Sequence, residues 1–126
     1  VAGCTFEENS GNAVQAKGGT TDMEIRGCRL LDPGERGVNM GGSTGFQYFR
    51  PPLSETEPNA EARRIRVVNN LIVGGTAAVA FVGCVESVAA HNTIVGLEQP
   101  DNVIEEHSPR RFGNRCRFEC FQNLAC

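Results

Sequence analysis

Apolar and polar residues alternate in short runs along this chain. Each run closes on a small or amide residue and then on glycine. "IRVVNNLIVGG" (Ile65–Gly75) is the clearest case, and "VAGCTFEENSG", "MEIRGCRLLDPG" and "SVAAHNTIVG" repeat its shape in looser form. A period of two over three to five residues is the signature of short, half-buried strands, and no stretch carries a helical stripe. The residues that close the runs are Cys4, Cys28, Asn70, Asn92 and Asn123, at steps of 24, 42, 22 and 31. The apolar centres Val14, Val38, Val79 and Val103 give steps of 24, 41 and 24. Two columns sharing a step near 24 predict a stacked architecture, with an insertion of about 18 residues in the second step.

The expected fold is therefore all-β: a right-handed parallel β-helix of four to five coils, with two or three short strands per step. The coils are placed near 1–22, 23–64, 65–86 and 87–115, with a fifth starting at 116–126. The insertion spans 43–64. Successive coils stack one strand spacing apart, about 4.8 Å. Ile25 then lies under Val67, Leu30 under Ile72, and Val14 under Val38 under Val79. Asn70 and Asn92 stack as amides at an inward turn, where Asn satisfies backbone groups and tolerates left-handed angles. Cys4 and Cys28 take the same column as small, buryable thiols, expected to stay unpaired because parallel side chains lack a disulfide's dihedral. Glu24 and Arg66 meet across neighbouring coils as an ion pair. An antiparallel sandwich also suits short strands, but it does not explain two columns with one step.

Composition agrees with many turns: 15 Gly, 7 Phe, 1 Tyr and no Trp in 126 residues. The net charge of −3 gives no case for nucleic acid, and no apolar run reaches membrane-spanning length. Six cysteines without a C-x-x-C pair, and two histidines, give little support for zinc; no metal or cofactor is expected. The chain opens inside the pattern, so it reads as an uncapped segment prone to end-to-end self-association.

The segments "IRVVNNLIVGG", "VAAHNTIV" and "MEIRGCRLLDPGERGVNMGG", with the coil period, resemble the right-handed parallel β-helix proteins of the pectate-lyase-like superfamily. "RGVNMGGSTGFQYFRPP" with "AVAFVGC" is similar to a bacterial branch of secreted β-helix repeat proteins. The resemblance covers residues 1–104, and the tail "EEHSPRRFGNRCRFECFQNLAC" departs from it. It implies an extracellular or cell-surface location and polysaccharide as the partner.

Fold alone grants no activity. Asp22, Asp32 and Asp101 are far apart along the chain, and the first two read as turn formers. Lys17 is the only lysine and reads as a solvated turn residue. The acid motifs of β-helix hydrolases are absent. "EEH" (Glu105, Glu106, His107) cannot present both glutamates on one face of a strand. Arginines gather at Arg63, Arg64 and Arg66 and again at Arg110, Arg111, Arg115 and Arg117, where forked cations suit acidic glycans or a solvated face.

The insertion is the strongest local feature. It sets Phe46, Tyr48 and Phe49 beside Gln47 and Arg50 and stops on Pro51-Pro52; Glu55, Glu57 and Glu61 are expected to be solvated. Aromatic faces stack on sugar C–H surfaces while amide and guanidinium groups donate hydrogen bonds. The same aromatics could instead fold back as a satellite core. The expected ligand contacts are Tyr48, Arg50 and Gln47, framing a groove with Gln15 and Asn39, which are placed facing solvent. The leading reading is a β-helix segment that recognises polysaccharide, an acidic one, without a complete catalytic site. A polysaccharide lyase or glycoside hydrolase is the second reading, and a structural or adhesin-like spacer the third.

Overall fold

The computed structural model describes residues 1–99, 101, 104–107 and 124–125. After β1 (Thr5–Glu7), the chain makes three rounds of four strands each. The first round is β2 (Val14–Ala16), β3 (Thr20–Thr21), β4 (Glu24–Arg26) and β5 (Arg29–Leu31). The second is β6 (Arg36–Gly41), β7 (Ala62–Arg63), β8 (Arg66–Val68) and β9 (Leu71–Val73). The third is β10 (Ala77–Val82), β11 (Cys84–Val85), β12 (Val88–Ala90) and β13 (Thr93–Val95), followed by β14 (Ile104–His107) and β15 (Leu124–Ala125). Each strand pairs, in parallel, with its counterpart one round away. This makes four sheets, ordered β1-β5-β9-β13-β15, β14-β10-β6-β2, β11-β7-β3 and β12-β8-β4. The protein is all-β with parallel sheets, an arrangement compatible with a β-helix-like solenoid.

Register follows the apolar alternation. Val14 pairs with Val38 and Val38 with Val79, Ile25 with Val67 and Val67 with Ala89, Leu30 with Ile72 and Ile72 with Ile94. All of these side chains are buried in one continuous core. Burying each of the larger ones contributes about 2 kcal/mol. The next member of the Val79 column is Ile104, not Val103, because Val79 pairs with Ile104. Each round also holds four strands where two or three were expected. The two-residue strands β3, β7 and β11 are too short to show an alternating pattern.

The corners explain why the runs end as they do. Gly3, Gly27, Asn69 and His91 hold one corner with φ between 55 and 62°. The left-handed residue therefore precedes the ladder position, and Asn69, not Asn70, adopts that conformation. Asn70 is buried and uses its side chain instead. Its Oδ1 accepts from the Cys28 N–H at 2.9 Å, and its Nδ2 donates to the Ile25 carbonyl at 3.0 Å. Asn92 repeats this one round later, accepting from the Asn70 N–H at 3.0 Å and donating to the Val67 carbonyl at 2.9 Å. Asn123, the expected next member, lies outside the described residues.

Cys4 and Cys28 stand below in the same column. The Arg29 N–H bonds the Cys4 carbonyl as Leu71 bonds Cys28 and Thr93 bonds Asn70. Both cysteines are free thiols, as expected, but only Cys28 is buried. Among the described residues Cys4 has a stacking neighbour, Cys28, on one side, and it is exposed.

A second corner holds Asp22, Arg64 and Glu86 with φ of 57, 53 and 54°. Left-handed backbone costs a non-glycine residue on the order of 1 kcal/mol. Alternating charge opposes that cost here. Arg64 Nε lies 2.6 Å from Asp22 Oδ1, and Arg64 Nη1 lies 3.6 Å from Glu86 Oε2. The expected pair is also present, with Arg66 Nε 3.2 Å from Glu24 Oε2. Among the described residues no helix is long and apolar enough to cross a membrane.

Candidate functional site

The excursion leaves the second round between β6 and β7. Its final residues, Ala62–Arg63, are strand β7 and pair with both β3 and β11. The departure from the stack is thus 43–60, shorter at its end than the expected 43–64, because the Gly42 N–H still bonds Val82 and the Glu61 N–H already bonds Gly83.

Its base is closed by one carboxylate. Glu61 is only 2% exposed, which corrects its expected place among the solvated acids. Its backbone continues the sheet, donating to the Gly83 carbonyl and accepting from the Gly19 N–H, both at 2.9 Å. Its side chain receives the Thr44 N–H at 2.8 Å, the Thr44 hydroxyl at 2.7 Å and the Gly18 N–H at 3.2 Å. The two ends of the excursion are held together by these bonds, and both are held to the first round. A buried carboxylate without a cation is tolerable only when its lone pairs are filled in this way. The clue was available: in the repeat register Glu61 stands between Gly19 and Gly83. A glutamate in a glycine column has a task beyond the turn.

The excursion then crosses the Gly18–Gly19 corner. The Arg50 N–H donates to the Gly18 carbonyl at 2.9 Å. Gly19 has φ +91°, and a Cβ there would meet the Arg50 carbonyl oxygen at 2.6 Å. Only glycine permits this approach. A 3-10 turn, Phe46–Tyr48, precedes it. Phe49 turns inward to 2% exposure, whereas Phe46 and Tyr48 stand out at 51 and 68%. The aromatics therefore divide between a satellite core and an exposed face. Arg50 folds back on this turn, and its Nη1 donates to the carbonyls of Gln47 at 3.0 Å and Phe49 at 2.7 Å.

The structure thus brings Gln47, Tyr48 and Arg50 together, all exposed. Gln15 is also exposed, but its Nε2 donates to the Gly41 carbonyl at 3.3 Å, at the root of the excursion. Asn39 does not face solvent. It lies in β6 between Gln15 of β2 and Ala80 of β10 and is 5% exposed. Its Oδ1 is buried without a hydrogen-bond partner.

A concave feature formed by described residues lies elsewhere than the expected groove. A cleft of about 180 Å³ runs between the excursion and β3 and β7. Gly19, Thr20 and Thr21 form one side with Arg63. Phe49 and three prolines, Pro51, Pro52 and Pro58, supply apolar walls. Its rim is stiff. The Ser54 N–H donates to Asn59 Oδ1, and Asn59 Nδ2 donates to the Ser54 carbonyl, both at 2.8 Å. Ser54 Oγ accepts from the N–H groups of Thr56 and Glu57. Arg63 Nη2 donates to the Pro58 carbonyl at 3.0 Å. β3 and β7 are too short to show a period, so no alternation in the sequence places Thr21 beside its register partner Arg63.

Electrostatics beside the cleft are paired. The Arg64 hydrogen bond, helped by the Thr21 hydroxyl, holds the Asp22 carboxyl well below the usual carboxylate range, and the same bond raises the Arg64 guanidinium. Among the described residues no three His, Cys, Asp or Glu side chains gather as a metal cluster. Glu105, Glu106 and His107 lie in β14. Arg110, Arg111, Arg115 and Arg117 fall outside the described residues. No protein-family model, curated protein or solved structure matches this chain.

Proposed function

We propose that this chain is a segment of a right-handed parallel β-helix, displayed outside the cell, that recognises polysaccharide through the excursion on its flank. The parallel sheets and repeating strand order support the helix. The strong preference of parallel crossovers for one hand supports its handedness. The extracellular setting rests on the sequence resemblance. The observation that carries the recognition reading is the exposed Tyr48 ring beside a guanidinium fixed by its own turn.

A flat ring offers a stacking face to sugar C–H groups. Arg50 spends one nitrogen on two backbone carbonyls and keeps other N–H donors for an acidic sugar's carboxylate or sulfate. Both are preorganised, because Glu61 and the Gly18–Gly19 corner hold the excursion in place before any ligand arrives.

An array of acidic and neutral glycans tests the reading. Wild-type protein binds acidic glycans, and Tyr48→Ala and Arg50→Ala each weaken binding at least tenfold with an unchanged circular-dichroism spectrum. No binding to any glycan, or binding untouched by both substitutions, removes it.

A further inference from the structure

We infer that the cleft between the excursion and β3–β7 is a second sugar subsite, and that it selects a neutral ring rather than an acidic one. The inference rests on the polysaccharide reading and adds a position with the opposite charge preference. Size comes first. At about 180 Å³ the cleft is smaller than the ~300–1,000 Å³ of sites for drug-sized ligands, so it accepts about one ring. The walls come next. Phe49 and the prolines give the apolar surface that a pyranose C–H face requires.

Charge decides the class. Arg63 is the cation lining the cleft, and its charge is already answered. Its Nη1 lies 3.7 Å from Glu86 Oε2, while Arg64 is paired with Asp22 at 2.6 Å and with Glu86 at 3.6 Å. Two arginines thus face two carboxylates. An incoming anion on Arg63 would sit beside the Glu86 carboxylate and compete with it, gaining little. A hydroxyl meets no such penalty. Arg63 has five N–H donors and commits one to Pro58, so donors remain for a hydroxyl oxygen. Thr20 Oγ gives its own proton to the Lys17 carbonyl at 2.7 Å, which leaves its lone pairs to accept from a ligand hydroxyl. The stiff rim formed by Ser54 and Asn59 means that little ordering is required on binding.

The test is amide chemical-shift mapping of the chain with methyl β-glucoside and, separately, glucuronate. The neutral sugar is expected to shift Thr20, Thr21, Ala60 and Arg63, and to bind there at least tenfold more tightly than glucuronate. Ala60→Val, which fills the cleft, and Arg63→Gln are each expected to weaken the neutral sugar tenfold while leaving acidic-glycan binding at Tyr48 intact. Equal or tighter binding of glucuronate in the cleft overturns the charge argument. Shifts confined to residues 46–50 overturn the subsite while leaving the polysaccharide reading standing. Absence of shifts with both sugars, together with silence on the glycan array, overturns both.

Discussion

Asn92 Oδ1 accepts two hydrogen bonds from one residue, the N–H and the Nδ2 of Asn70, each at 3.0 Å. Asn70 in turn caps Cys28 and Ile25 in the round before. One amide side chain thus satisfies donors and acceptors that the corner removes from the sheet ladder. Asn70→Ala removes the side-chain partner of the buried Cys28 N–H and of the Ile25 carbonyl, while Asn92 Oδ1 keeps the backbone N–H of residue 70. Each such group costs about 1–3 kcal/mol, so urea unfolding should show a loss of about 3 kcal/mol.

The ladder breaks at Cys28, and that break is repairable. Cys28 Sγ lies 3.9 Å from the Val1 carbonyl, in the place where Asn70 Nδ2 reaches Ile25 at 3.0 Å. Cys28→Asn should let Oδ1 accept from the Cys4 N–H and Nδ2 donate to Val1. The expected gain is about 1 kcal/mol, read as a higher urea midpoint at unchanged m-value. A lower midpoint would mean that the extra volume outweighs the bonds.

Glu61 should govern the excursion more than the stack. Glu61→Ala removes three hydrogen bonds to a carboxylate, costing about 3 kcal/mol or more. Limited proteolysis should then cut within 45–60 while the core strands stay protected. Glu61→Gln should be milder: its oxygen can still accept from Thr44, but its NH₂ faces a donor. Equal resistance of all three proteins to protease would show that the aromatics alone hold the excursion.

The Asp22–Arg64 pair sets a pH dependence. The folded carboxyl titrates well below its unfolded value of about 3.9. Its contribution is therefore complete above that value and is lost as the pH falls below about 4 toward the folded pKa. Both groups are exposed, so salt screens the pair. Asp22→Asn keeps a residue suited to the left-handed corner and should flatten the acid-side slope of Tm. Added salt should narrow the difference between the variant and wild type. A slope identical in both proteins at low salt would place the acid sensitivity elsewhere.

Much of the stack was legible in the residues. The Val14, Ile25 and Leu30 columns, the Asn70–Asn92 stacking and the Glu24–Arg66 pair all follow from a shared step and period-two alternation. The third sheet was not legible, since two-residue strands such as Thr20–Thr21 carry no period. The candidate site suffered most, because its cleft is built on that sheet.

What the sequence determined alone is the repeat: where the chain turns, which residues point inward and which positions stack. These are local and periodic properties, and every round restates them. Tertiary structure alone decided how the irregular residues are used. Gly19 admits the Arg50 carbonyl, and Glu61 folds its carboxylate onto Gly18 and Thr44. Arg63 meets Pro58 across the cleft. Each of these contacts joins residues with no shared period. Only the packing of the excursion against the strands brings them within reach.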